Sequence, residues 1–372
     1  MNIHIKQSDL SSGLSAVLPV VPGKDYTLPV LTNVLLAVED DGSLRLSTTN
    51  LEVGVTCWVA AQSGEAGTIS VPAHTLTDLV KMLPDGDVHL ALDKDDTTLL
   101  VNEPSGSSHA EIKGIAASEF PPLPEAAGAP SVKVSAAALK NAIRQTAFAV
   151  ARDMTRPVLT GVLLKASDSN LILTAADGFR LSRRRVEAEV LSEMEAIVPV
   201  KALNILEKYA ADEEVSIWVA DNQVIFAAGS IRVASRMIDA SFPDVEVIIS
   251  AQTPTMASVS RDALFAACRQ ALVVARDGGN LLRLQVVPGE DDSGKIHLVA
   301  DVAEVGHSEN QVAGDVRGDA VRLGINAGFL LDAVSCIGAT FVSIGFGGDM
   351  SPVKVTDGDY LHLIIPLHIS SA

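Results

Sequence analysis

The sequence predicts an α+β chain of three tandem, similar domains, each made of two helix-plus-strands halves. Two observations carry this prediction. A strand–turn–strand phrase returns at a near-constant interval, and two interleaved series of amphipathic helices return with it. The composition fixes what the cores are made of: apolar residues are 48% of the chain and aromatics only 4%, which leaves Leu, Val, Ile and Ala to fill them.

The first copy of the phrase is Leu28-Pro-Val-Leu-Thr-Asn-Val-Leu-Leu36, then, past a polar turn, Leu44-Arg-Leu-Ser-Thr-Thr-Asn50. The second is Arg156-Pro-Val-Leu-Thr-Gly-Val-Leu-Leu164, then Leu171-Ile-Leu-Thr-Ala-Ala-Asp177. The third is more divergent, Asn280-Leu-Leu-Arg-Leu-Gln-Val286 followed by Ile296-His-Leu-Val-Ala-Asp301. Leu44 and Leu171 are 127 residues apart, Leu171 and Ile296 125.

An apolar stripe at i, i+3, i+4, i+7 marks one buried helix face. The first helix series shows it at Leu10/Gly13/Leu14/Val17, Leu139/Ala142/Ile143/Thr146 and Leu264/Ala267/Cys268/Ala271, with Ser8, Ser135 and Ser260 ahead as candidate N-caps. The second series is Leu76/Leu79/Val80/Leu83, Ala202/Ile205/Leu206/Tyr209 and Leu330/Ala333/Val334/Ile337. Val71-Pro72 and Val198-Pro199 lead into its first two members, where proline suits an opening turn. Strand-like runs such as Val88–Leu92 and Val215–Val219 follow. Two Phe-Pro phrases, Glu119-Phe-Pro-Pro122 and Ser241-Phe-Pro-Asp244, close the first two repeats. They divide the chain into domains 1–125, 126–250 and 251–372.

Repeated domains that meet through like interfaces form an open filament or a closed ring. Three domains per chain close as a two-fold dimer of six, with helices lining a hole, sheets forming the outer wall and sheet edges pairing at each joint. The formal charge of −18 opposes nucleic acid on a naive count. The helices as drawn (8–18, 72–83, 135–149, 200–210, 260–271, 326–338) nevertheless sum to +2 against −20 elsewhere, the sign a DNA-lined hole requires. Lys24, Lys140, Arg144, Arg152, Lys201 and Arg276 are the expected contacts to duplex DNA, sequence-independent and through phosphates.

No catalytic constellation stands out, and the chain is not expected to be an enzyme. Glu39-Asp40-Asp41-Gly42, Asp93-Lys-Asp-Asp96 and Glu290-Asp-Asp292 read as solvated turns rather than metal ligands. The eight histidines lack an HExxH pattern, and Gly345-Phe-Gly-Gly348 lacks the GxxxxGK[ST] phosphate cradle. Cys57, Cys268 and Cys336 are scattered, which suits a reducing cytoplasm and suggests neither disulfides nor zinc. No cofactor or metal is expected, no apolar run reaches the length of a membrane span, and the N-terminus lacks a secretory pattern. The competing readings are an enzyme whose acidic turns bind metal, and a scaffold that binds peptides but not DNA.

Over essentially its whole length the chain resembles the beta subunit of bacterial DNA polymerase III, the sliding-clamp family. The resemblance is carried by Leu28–Leu36, Thr155-Arg-Pro-Val-Leu-Thr-Gly161, Ala175-Ala-Asp-Gly-Phe-Arg-Leu181, Phe242-Pro-Asp244 and Leu363-Ile-Ile-Pro-Leu-His-Ile369, in that order and spacing. It implies the DNA clamp fold, a head-to-tail homodimer around duplex DNA, and processivity for the replicative polymerase. It also implies a hydrophobic pocket between the second and third domains for peptides of the polymerase and clamp loader. By position, that pocket takes Leu159, Ala176, Gly178, Phe179, Arg180 and Leu181, then Pro243, Val247 and Ile248. Leu363, Ile364, Ile365, Pro366, Leu367, His368 and Ile369 close it, with Arg180 as a polar anchor. The dimer joint falls at His109, Ala110 and Ile112 and at Val273 and Val274. Phe179 stands where the family commonly has His, Val247 and His368 where it often has Arg, and Ser370-Ser371-Ala372 extends the usual end. These departures bear on which peptides the pocket prefers.

Overall fold

The computed structural model describes residues 1–23, 28–93, 97–104, 106, 108–210 and 214–368. They form two compact units: Met1–Lys140, Ser167–Ser169 and Ala188–Met237 in the first, Asn141–Ala166, Asn170–Glu187 and Ile238–Ala372 in the second.

The predicted helices form at Gln7–Val17, Ala73–Met82, Ala136–Thr146, Val200–Tyr209, Arg261–Ala275 and Ala327–Ser335, with their apolar stripes buried. Gly13 shows why one stripe position is a glycine. A Cβ there would lie 2.5 Å from Val59 and 2.9 Å from Leu46, so the helix packs directly on the sheet. Ser260 caps its helix by accepting from the Ala263 N–H at 3.4 Å. Ser8 does not act as a cap. The first helix begins one residue before it, at Gln7, whose buried carboxamide donates to the Val80 carbonyl at 2.7 Å. Pro72 and Pro199 stand just ahead of the first helical turn, not in it.

In the first unit, a five-stranded antiparallel sheet runs Gln62–Glu65, Asn2–Lys6, Asp87–Leu92, Thr98–Asn102, His109–Lys113. A second sheet includes Val132–Ser135, Glu214–Ala220, Gln223–Ala228, Ile231–Arg236, Val53–Val59, Leu44–Thr49, Asn33–Val38 and Thr68–Pro72 in spatial order. The two repeats join where Ile231–Arg236 pairs with Val53–Val59, with Ala234 opposite Gly54.

The second unit repeats that joint. Its strands run Gly161–Ser167, Asn170–Ala176, Arg180–Glu187, Tyr360–Ile364, Val353–Asp357, Phe341–Phe346, Thr255–Ser260, Gly306–Arg317, Ser293–Val302, Leu281–Pro288, Val321–Asn326. Here Tyr360–Ile364 pairs with Arg180–Glu187, with Leu363 opposite Leu181. Glu39–Gly42 and Glu290–Asp292 are hairpin turns; Asp41 accepts from the Ser43 N–H at 2.9 Å, and Gly42 supplies φ +84°.

Candidate peptide cleft and sheet edges

The second joint is organised by one turn. Asp177 accepts at Oδ1 from the N–H groups of Phe179 and Arg180, both at 2.9 Å, while Gly178 takes φ +93°. The chain thereby reverses into the strand Arg180–Glu187, and alternation sends Leu181 and Arg183 to one face and Arg180 and Ser182 to the other.

On the first face, Leu159, Ala176, Leu181, Val245 and Leu363 form an apolar cluster, with Ala151, Val158, Phe242, Ile249 and Leu361 partly buried against it. Phe179, Val247 and Ile248 remain exposed at 62%, 75% and 39%, and Pro243 is exposed beside them in sequence. A dry floor with unsatisfied apolar residues nearby is the chemistry of a cleft for apolar side chains. The Phe242–Ile249 wall is tied down by charge. Arg183 grips Glu246 through two bonds, 2.6 and 3.3 Å, and holds its carboxyl below the ordinary carboxylate range. Lys354 donates to the carbonyls of Ile249 at 2.8 Å and Ala251 at 3.2 Å. Arg156 adds a cation at the turn, since a Cβ on Gly178 would meet its Nη1 at 3.2 Å.

Arg180 works differently from the expected ligand anchor. It is 6% exposed and lies on the opposite face from Leu181. Its guanidinium donates to Asp177 Oδ2 at 3.0 Å, Asp332 Oδ2 at 2.6 Å and the Phe148 carbonyl at 2.6 Å. Its planar face lies 4.4 Å from the centroid of Phe329. Those contacts fix the turn and the helix Ala327–Ser335 in place rather than face the cleft. With Phe179, Arg152 and Asn280, Arg180 also borders a separate cavity of about 550 Å³. The C-terminal segment divides likewise: Leu363 floors the cleft, whereas Ile364 enters the core of the third repeat. Ile365 donates to the Phe179 carbonyl at 2.9 Å, Pro366 is buried, Leu367 donates to Gly324 at 2.7 Å and His368 is exposed. Ile369 lies outside the described residues.

Of the expected DNA contacts, Arg144, Arg152, Lys201 and Arg276 are exposed. Lys140 donates to the Ala210 carbonyl at 3.1 Å, a bond to the end of the neighbouring helix; Lys24 lies outside the described residues. At the expected dimer joint, His109–Lys113 is an outer strand of its sheet. Ile112 turns into its own domain at 6% exposure, so this strand offers its backbone edge rather than that side chain. Val273 is 69% exposed and Val274 partly buried against the third-repeat core. The sequence reading missed a second edge. Gly306–Arg317 is paired with Ser293–Val302 from Gly306 to Asp315, but on its other side only its last residues meet Thr255–Ser260. The edge over residues 306–311 has no second neighbour among the described residues.

Among the described residues, no group of three or more His, Cys, Asp or Glu side chains is placed to hold a metal, and no helix is long and apolar enough to cross a membrane. Burial raises the thiol pKa of Cys268 to about 12, fitting a core residue rather than a nucleophile.

Three family models match the chain in order: the DNA polymerase III beta subunit N-terminal domain over residues 1–124, its central domain over 133–244 and its C-terminal domain over 247–367. The beta sliding clamp of Synechococcus elongatus is 32% identical over 384 residues, covering 100% of both chains. The chain belongs to the DNA polymerase III beta-subunit family. The crystal structure of the Bacillus subtilis DNA polymerase sliding clamp superposes on it with a TM-score of 0.91 at 26% identity, covering 100% of both chains. A Pseudomonas aeruginosa sliding clamp bound to griselimycin gives 0.90 at 28% identity, over 99% of this chain and 100% of that one. The function that goes with the beta-subunit family is that of a sliding clamp, a non-catalytic ring that confers processivity on a DNA polymerase.

Proposed function

We propose that two copies of this chain close head to tail into a ring of six domains, 1–125, 126–250 and 251–372 from each, around duplex DNA. One observation carries the reading. Within the chain, the strand after each Asx turn is joined by the last strand of the following repeat: Val53–Val59 after the turn on Asn50, whose Oδ1 accepts from the Val53 N–H at 2.8 Å, and Arg180–Glu187 after the turn on Asp177. Among the described residues, the third copy of the first partner, over residues 306–311, and the first copy of the second, His109–Lys113, both keep a free edge. Two copies of the chain supply each other's missing neighbour, and a two-fold arrangement leaves no edge over.

Arg144, Arg152, Lys201 and Arg276, with Lys24 and Lys140, are the proposed phosphate contacts, made without reading sequence. The cleft around Leu159, Ala176, Leu181 and Leu363 is the proposed dock for polymerase and clamp-loader peptides, with Gly178, Phe179, Pro243, Val247 and Ile248 at its rim. The free thiols fit the cytoplasm as the place of work.

Sedimentation and averaged particle images test the ring. A dimer of the 38.9 kDa chain showing a central hole and six lobes is expected. Val273→Asp is expected to shift it to monomer by burying an unpaired charge. A compact particle without a hole removes the reading.

A further inference from the structure

Behind the cleft floor, on the opposite face of the same strand pair, polar side chains converge with atoms that have no hydrogen-bond partner among the described residues. His362 is fully buried and neither ring nitrogen is hydrogen-bonded. Tyr360, on the same face two residues away, is equally buried, and its hydroxyl faces the Ser182 hydroxyl. Gln145, 3% exposed, donates from Nε2 to the Cys336 carbonyl at 3.0 Å but leaves Oε1 unpaired. Arg184 Nε is buried and unpaired too.

The register brings these groups together. Ser182 lies opposite His362 and Arg184 opposite Tyr360. The Ser182 hydroxyl donates to the Gln145 backbone carbonyl, tying the helix Ala136–Thr146 to this face. The His362 ring packs 5.5 Å from that of Phe148. At the corresponding positions of the first joint, the paired strands carry Val55 and Val233, both fully buried. One joint is lined by hydrocarbon behind its floor; the other is lined by donors and acceptors.

Buried polar atoms in native proteins almost always have partners, protein or water. The orphaned set is balanced: Arg184 Nε–H donates, Gln145 Oε1 accepts, and the neutral imidazole does both. An anion would meet the Gln145 oxygen, and a cation would meet Arg180 and Arg184. Water alone satisfies both signs. Gln145 and Arg184 also border a cavity of about 530 Å³, from which water reaches their end of the set.

We infer that Gln145, Arg184 and His362 form an internal hydration site, where ordered water bridges their four orphaned atoms behind the cleft floor. A buried water makes about three hydrogen bonds, so more than one molecule is required. The site rests on side-chain chemistry and stands whether or not the cleft takes peptides.

A crystal structure of the full chain, at a resolution that orders internal solvent, tests it directly. Water density is expected within hydrogen-bonding distance of Gln145 Oε1 and of a His362 nitrogen, in every copy. A dry space, side chains bonded directly to one another, or an anomalous peak there after a bromide soak overturns the inference. Thermal unfolding of His362→Phe at pH 8, where the imidazole is neutral, gives an independent reading, because the substitution removes both ring nitrogens and nearly keeps the shape. A hydrated site predicts a lower melting temperature; an unchanged or higher one means the imidazole had no partner to lose.

Discussion

The two strand joints are the same construction filled in different ways. Each begins with an Asx turn, on Asn50 in one and Asp177 in the other, whose side chain accepts from two following N–H groups. Each has a positive φ at the next residue, +74° at Leu51 and +93° at Gly178. Leu181 then floors the second joint, whereas the first has Gly54. A Cβ on Gly54 would lie 2.5 Å from Leu123, so the chain's own Phe120–Pro124 segment sits where Leu181 has its side chain. The space left there, about 200 Å³, is bordered by Pro121, Pro122 and Pro124 and by the polar Thr49, Glu52, Gln223 and Arg236. In the second joint the shorter Val245 replaces Leu123, and Phe179, Val247 and Ile248 stay exposed. A shared fold thus makes the joint, and a single position on the floor decides whether the linker seals it.

The largest effect is expected from the residue that sets the second joint's geometry. Arg180→Ala removes the cation paired with Asp177 Oδ2 and Asp332 and the donor to the Phe148 carbonyl, and is expected to cost about 3–5 kcal/mol, as breaking a buried ion pair does. The half-exposed Asp332 carboxylate places the value toward the lower end. Denaturant unfolding reads it, and a loss under 1 kcal/mol would show that Arg180 is not the pin of the joint. Gly54→Leu tests the sealing of the first joint. It gives that floor the residue of the second and should cost about 1–3 kcal/mol by overpacking. Faster amide exchange at residues 120–124 is expected with it; unchanged exchange would mean that Leu123 is not displaced.

The wet and dry faces behind the floors differ in pH response. Burial first, and Arg180 second, lower the His362 pKa to about 3 from an ordinary 6.5. The unfolded chain therefore binds this proton below pH 6.5 while the folded one refuses it, so stability falls as pH drops from about 6.5 towards 3. Above that window the group contributes no slope. The fall approaches ~1.4 kcal/mol per pH unit. Unfolding measured across pH 7 to 5 should show it, and His362→Phe should remove it; a variant with the same slope excludes His362 as the source. The loss from Glu246, whose pKa Arg183 lowers, begins only near the carboxylate range.

Parity along a strand explains much of what the sequence did and did not disclose. Amphipathic stripes and the recurring phrase made the six helices and the repeat legible, because period and interval are local properties. Leu181 and Leu363 entered the expected pocket by position through the family resemblance, and both lie in one buried apolar cluster. Arg180 and Ile364 were grouped with them because they are adjacent in sequence, yet adjacency on a strand means opposite faces. Arg183 and Lys354 escaped notice because their partners, Glu246 and Ile249, lie 63 and 105 residues away. The free edge over residues 306–311 is visible only once the pairing of every other edge is known.

The smallest expected effect separates backbone strain from packing at the two turns. A non-glycine residue in the left-handed region costs roughly 1–2 kcal/mol, and Leu51 bears that cost at φ +74°. Leu51→Gly relieves it but gives up about 0.5–1 kcal/mol of chain entropy. It also loses about 1 kcal/mol of side-chain burial, since Leu51 is half exposed. The terms nearly cancel, so stability should change by less than about 0.5 kcal/mol. Gly178→Ala has no relief to gain: it enters the strained region and pushes on Arg156, so about 1 kcal/mol of loss is expected. Calorimetry on both variants decides the matter. If Leu51→Gly costs as much as Gly178→Ala, the Leu51 side chain is helping to seal the first joint alongside Leu123, and the seal is a property of the turn as well as of the linker.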